Sequence, residues 1–151
     1  MPISTPDVQT WLADRDPLRI VPLIDSVIEN VGHEPRSLYA ETYWLPVIGP
    51  SAMWALRRLS AWAEAEPTGV DIALPELAHE LGLGGGTGRN SPVVRTLARL
   101  VVFQLAGIDQ SRDAFAVLRA VPPLARRHLL RLPGHLLERH QADLKVVAAA
   151  R

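Results

Sequence analysis

Residues 77–103, "LAHELGLGGGTGRNSPVVRTLARLVVF", decide how the chain is read, because five glycines between Gly82 and Gly88 suit either a phosphate cradle or a turn between helices. The flanks separate the two. A dinucleotide-type G-x-G-x-x-G loop follows a strand, and a Walker loop ends in Gly-Lys-Ser/Thr. Here the glycines follow the helical pattern "LPELAHEL", and Gly88 precedes Arg89. Before the loop, Leu77, Ala78 and Leu81 form an apolar stripe, Pro75 suits a first helical turn and Gly82 a left-handed cap. After it, Ser91 and Pro92 have the chemistry of an N-cap and first turn. Val94, Leu97, Ala98, Val101 and Leu105 then point inward, while Arg95, Arg99 and Val102 share the outward face. The stretch predicts two helices joined by a long glycine turn.

Upstream, Ser51 opens "SAMWALRRLSAWAEAE", where Ala52, Ala55, Leu56, Leu59, Trp62 and Ala63 recur at helical spacing, and a short strand-like run covers Val70 to Leu74. Downstream, "QLAGIDQ" and "AFAVLRAV" flank the turn-forming "DQSRD" and predict a β-hairpin that Pro122 and Pro123 end. Pro2, Pro6, Pro17, Pro22 and Pro35 break the first 36 residues into an arm packed on the domain. The tail predicts two short helices, or one broken at Pro133. Three parts are therefore expected: an arm over 1–36, a domain over 37–122, and a helical extension over 123–151. The expected fold class is mainly α with a small β-hairpin.

With 151 residues, 48% hydrophobic and 21% charged, the chain has the balance of one globular domain with a real core. It has no cysteine, which excludes disulfides, a thiolate nucleophile and thiolate metal ligands. No basic leader with an apolar run opens it, and no stretch reaches the roughly 18–20 apolar residues of a membrane span, so a cytoplasmic protein with no membrane partner is expected. Lys145 is the only lysine, a bias that suits a GC-rich, actinobacterial genome. Zero net charge hides an asymmetry: residues 1–85 carry 5 basic and 12 acidic side chains, residues 86–151 carry 11 and 4. A half at +7 points to a polyanion or an acidic partner, unless the half at −7 neutralises it.

The order helix, short strand, helix, turn, helix, hairpin over residues 51–122 resembles the winged helix-turn-helix. The resemblance implies a reading helix at 92–105 that enters the major groove, with a wing tip near residues 110–113 reaching the backbone or minor groove. The implied DNA-binding residues are Arg89, Asn90 and Ser91 at the start of that helix, Arg95 and Arg99 on its outer face, and Arg112 on the wing. Arginine grips phosphate or the O6/N7 edge of guanine, asparagine reads adenine, and amides at a helix start hold an anion. A shorter stretch, "SLYAETYWLPVIGPSAMWALRRL", is similar to the opening of the winged-helix domain in replication-initiation proteins of the DnaD and Gram-positive DnaB type; Tyr43, Leu45, Pro46, Ile48 and Gly49 carry it. That likeness implies self-association and contacts with other replication proteins.

The expected function is a DNA-binding winged-helix protein, a transcriptional regulator or a replication or mobile-element accessory. Its partners would be duplex DNA, a second copy of the chain on a palindromic site, and a replication or transcription protein. The alternative is the same fold used as a protein-interaction or dimerisation module without DNA binding. Neither an enzyme nor a cofactor is expected. His33, His79, His128, His135 and His140 are scattered, and the closest pair is five apart, off the spacing that shares a metal on one helical face. Trp11, Trp44, Trp54 and Trp62 all fall in the acidic half and are expected in core and arm packing rather than in a stacking platform.

Overall fold

Helix starts and strand pairing explain most of the architecture seen in the computed structural model, which describes residues 5–149. In chain order these form α1 (Thr5–Leu12), β1 (Leu18–Leu23), α2 (Ser26–Val31), a π-helical turn (Ala40–Trp44), α3 (Leu45–Ile48), α4 (Pro50–Ala65), β2 (Val70–Ile72) and α5 (Leu74–Glu80). There follow α6 (Pro92–Val102), β3 (Ala106–Asp109), β4 (Ala114–Leu118), α7 (Arg126–Leu129) and α8 (Gly134–Ala149). None of the helices among the described residues is long and apolar enough to cross a membrane.

The fold is mixed α/β, not mainly α with a lone hairpin. The four strands make one sheet in the order β2-β1-β4-β3. The expected hairpin is its β3–β4 half, with Ala106 opposite Val117 and Asp109 opposite Ala114. The strand unforeseen in the sequence is β1, antiparallel to β2 and parallel to β4. The arm therefore supplies an interior strand of the sheet instead of a layer laid over it. Pro22 argued against a strand there, since proline cannot donate to a ladder. It is tolerated because β2 pairs only Leu18 to Ile20, so at Pro22 the strand is bonded on one side alone. Leu18, Ile20, Val21 and Pro22 are all buried, the near-continuous apolar run of a strand covered on both faces.

A second departure lies at residues 40–48. A proline removes an N–H and crowds the preceding helical turn, yet helix runs through Pro46. The chain widens into a π turn immediately ahead, where the Leu45 amide reaches the Ala40 carbonyl five residues back, and the missing proline N–H is absorbed in that irregular stretch. Gly49 then turns the chain with φ 86°, a left-handed value that favours glycine, and is the N-cap of α4. Ser51, expected as that cap, lies inside the helix.

The core gathers Trp44, Leu56, Leu59, Leu74, Leu77, Leu97, Leu100 and Phe115. Each aliphatic side chain of that set stabilises the fold by roughly 1.5–3 kcal/mol through burial. Polar bonds fix the layers: Ser60 Oγ donates to the Leu118 carbonyl at 2.7 Å, joining α4 to β4, and Trp44 Nε1 donates to the Pro122 carbonyl at 2.8 Å.

Candidate functional site

The site is built on α6. Its inward side buries Val93, Val94, Thr96, Leu97, Ala98 and Leu100, so Arg95, Arg99 and Val102 are left on the outside, as the spacing predicts. The helix ends at Val102, three residues short of the expected 105. Its outward face is the floor of an open groove of about 710 Å³. The walls come from Gln9 of α1, the turn at Gly49, Pro50 and Ser51, Leu83 of the glycine loop, and Arg131 beyond α7. Among the described residues, three arginines line it, Arg95, Arg99 and Arg131, and no carboxylate does.

Those cations are held in different ways. Arg99 donates from Nε to the Ile48 carbonyl at 2.6 Å and from Nη2 to the Val47 carbonyl at 3.3 Å, so it closes the end of α3. Its guanidinium also lies 5.2 Å from the centre of the Phe103 ring, and Arg131 approaches the same ring at 5.7 Å. Two positive charges thus flank one aromatic side chain. The Arg95 side chain makes no hydrogen bond or ion pair among the described residues and projects into the groove. The start of α4 adds to the field: no side chain caps it, so the first-turn amides of Ser51 and Ala52 lack an intrahelical partner where they line the groove.

The other expected contact residues are separated from this face or already engaged. Arg89 donates from Nε to Thr10 Oγ1 at 3.2 Å, and its carbonyl accepts from Gln9 Nε2 at 3.1 Å. The glycine loop is clamped further by Thr87, whose carbonyl accepts from the Asp14 amide and whose hydroxyl donates to the Asp14 carboxylate. The arm therefore supplies the glycine loop's partners from within the chain. Asn90 is exposed and makes no hydrogen bond among the described residues. Ser91 is the N-cap of α6, but its hydroxyl donates to the Gly88 carbonyl at 2.6 Å and caps nothing.

Arg112 is the clearest loss. Its Nε bonds Asp109 Oδ2 at 2.6 Å, its backbone amide bonds the same carboxylate, and Ser111 adds a third donor. The Ser111 hydroxyl and then the Arg112 guanidinium pull the Asp109 pKa down to about 2, so the pair is ionised and mutually neutral. On the same turn Asp113 pairs with Arg15 at 3.1 Å. Among the described residues, the hairpin tip carries two carboxylates and no free cation.

Arg131 lies in the tail, beyond α7. Nothing local marks it, since it comes to the groove through the packing of 123–132 against Phe103. The sequence also left unread a polar cluster that docks α8 on the π turn. Tyr39 OH meets His140 Nε2 at 2.8 Å and accepts from the Leu124 amide at 2.8 Å; Tyr43 OH donates to Asp143 at 2.5 Å; His33 stacks on Tyr39 at 3.8 Å. Burial, then the Asp143 carboxylate, push the Tyr43 hydroxyl up to about 12, and burial lowers the pKa of His33, His128 and His140. Among the described residues no group of three His, Cys, Asp or Glu is placed to hold a metal ion.

The chain matches no family model, no curated protein and no solved structure.

Proposed function

We propose that the protein binds duplex DNA as a variant winged-helix protein, in transcription control or in replication or mobile-element maintenance, with the α6 groove as the contact surface. The groove carries the reading: Arg95, Arg99 and Arg131 line it with no carboxylate among the described residues, beside the uncapped start of α4. The element order from α4 to β4 supports the winged-helix assignment. The insertion of β1 between β2 and β4 is a departure from it, and the neutralised hairpin tip removes the wing from the contact set. The contacts are thus Arg95, Arg99 and Arg131, a narrower set than the sequence suggests.

Three phosphate contacts release counterions at about 0.9 per contact, so the logarithm of affinity should fall with the logarithm of salt at a slope of roughly −2.7. Between about 50 and about 200 mM salt that is a loss of roughly forty-fold. Fluorescence anisotropy with a labelled duplex measures it, and an affinity indifferent to salt, or none at low salt, rejects the proposal.

One observation favours a second reading, in which the fold is a protein-interaction or dimerisation module in the cytoplasm. Ile24, Val27 and Val31 are each more than half exposed around α2, which buries none of its own residues. A row of that kind suits a partner surface. Light scattering of the pure protein tests the homodimer.

A further inference from the structure

The outer face of α4 holds a second cavity, unrelated to the groove. It measures about 470 Å³ and is lined, among the described residues, by Arg36, Trp54, Arg57, Arg58, Ala61 and Trp62, with no carboxylate and no side chain in common with the α6 site. Three guanidinium groups and two indoles around one alanine are an unusual composition for a protein surface, where large aromatic side chains are normally tucked in. Trp54 is 59% exposed.

Each indole has a guanidinium group beside its ring. The Arg57 guanidinium lies 5.3 Å from the Trp54 ring centre, and that of Arg58 lies 6.0 Å from Trp62. Arg57 is held in place by donating from Nε to the Pro35 carbonyl at 3.1 Å. Its contact with Glu41 is 4.0 Å and that of Arg58 with Glu80 is 3.6 Å, both long and to carboxylates that are themselves largely in water, so each guanidinium keeps donors to spare. Arg36 makes no hydrogen bond or ion pair among the described residues.

We infer that this face binds single-stranded nucleic acid, with bases stacked on Trp54 and Trp62 and phosphates held by Arg36, Arg57 and Arg58. The two indoles are eight residues apart on one helix, roughly 12 Å along its axis at 1.5 Å per residue, so they meet two different bases. Duplex DNA would satisfy the guanidinium groups but keeps its bases inside, where neither indole reaches them. An acidic peptide would likewise answer the charge and leave the aromatic faces without a stacking partner. Only a strand with exposed bases matches both halves of the composition, and stacking of this kind is sequence-tolerant because every base has a π face.

The test compares two ligands of equal charge on the full chain: a labelled thymidine oligomer of about twelve nucleotides and an abasic sugar–phosphate oligomer of the same length, by fluorescence anisotropy. The thymidine strand should bind at least about tenfold more tightly, Trp54→Ala should abolish that preference, and Arg95→Ala should leave it intact. Because Trp54 is on the surface, its replacement leaves the core untouched, and a thermal melt unchanged from the parent confirms a folded variant. Equal affinity for the two oligomers, a preference that survives Trp54→Ala, or displacement of the strand by polyglutamate at equal charge each overturns the inference.

Discussion

The hairpin tip and the α6 groove both carry arginine in the basic half of the chain, and they end in opposite electrostatic states. At the tip, Arg112 sits three residues from Asp109, and the turn folds the two into one ion pair with a serine hydroxyl closing the set. In the groove, Arg95 and Arg131 have no ion-pair partner among the described residues, and Arg99 spends its donors on neutral carbonyls, which leaves its charge intact. Availability, rather than the number of charges, distinguishes the regions. A cation paired at 2.6 Å with an ionised carboxylate contributes little field beyond its immediate surroundings, whereas one that bonds a carbonyl still attracts an anion.

The largest effect that would break this comparison is on DNA affinity. Each phosphate contact is worth roughly a factor of ten near 0.1 M salt, so Arg95→Ala with Arg131→Ala should weaken duplex binding about a hundredfold and flatten the salt slope by about two. Arg112→Ala should change affinity less than about twofold, since that cation is already neutralised. A loss at Arg112 matching that at Arg95 would end the distinction between tip and groove. A smaller effect sharpens it from the other side: Asp109→Asn frees Arg112 and should tighten non-specific duplex binding several-fold, up to about tenfold, in the same anisotropy titration.

Stability separates the groove arginines from one another. Arg99→Ala removes charged donors from the Ile48 and Val47 carbonyls and should cost about 1–2 kcal/mol in urea unfolding, while Arg95→Ala should cost less than about 0.5 kcal/mol. Equal losses would mean that Arg99 does not hold the end of α3. The last effect is on pH. Burial lowers the folded-state pKa of His33, His128 and His140 beneath the ordinary 6.5, so these side chains are neutral in the fold and the unfolded chain binds more protons. The destabilisation is absent above pH 6.5 and grows as pH falls through it, so the urea midpoint should drop between about pH 7.5 and about pH 5.5. His140→Gln should reduce that dependence, and a midpoint independent of pH would contradict the burial of these groups.

Much of the helical half was legible. The i, i+3, i+4 patterns of α4, α5 and α6 survive in the structure because each packs one apolar stripe on a single core, and Gly82 takes the left-handed value expected of a cap, φ 71°. The outward placement of Arg95 and Arg99 follows from the same period. β1 was obscured because "LRIVPL" combines a strand's apolar run with a proline that argues against one, and the outcome turns on where β2 stops. The tryptophans were divided by packing too. Trp44, in the π turn, is buried with its indole N–H bonded to Pro122, whereas Trp54, on the outer face of α4, faces water.

By itself the sequence determined the helices around the glycine turn, the hairpin, and the split of α6 into an apolar and an arginine face, because these depend on periodicity and turn chemistry within about fifteen residues. The tertiary structure alone decided that the arm enters the sheet, that Arg131 joins Arg95 and Arg99 from 32 residues beyond the nearer of them, and that Arg112 is cancelled. A charge acts through distance and dielectric, and both are set by which distant segments close on it rather than by its place along the chain.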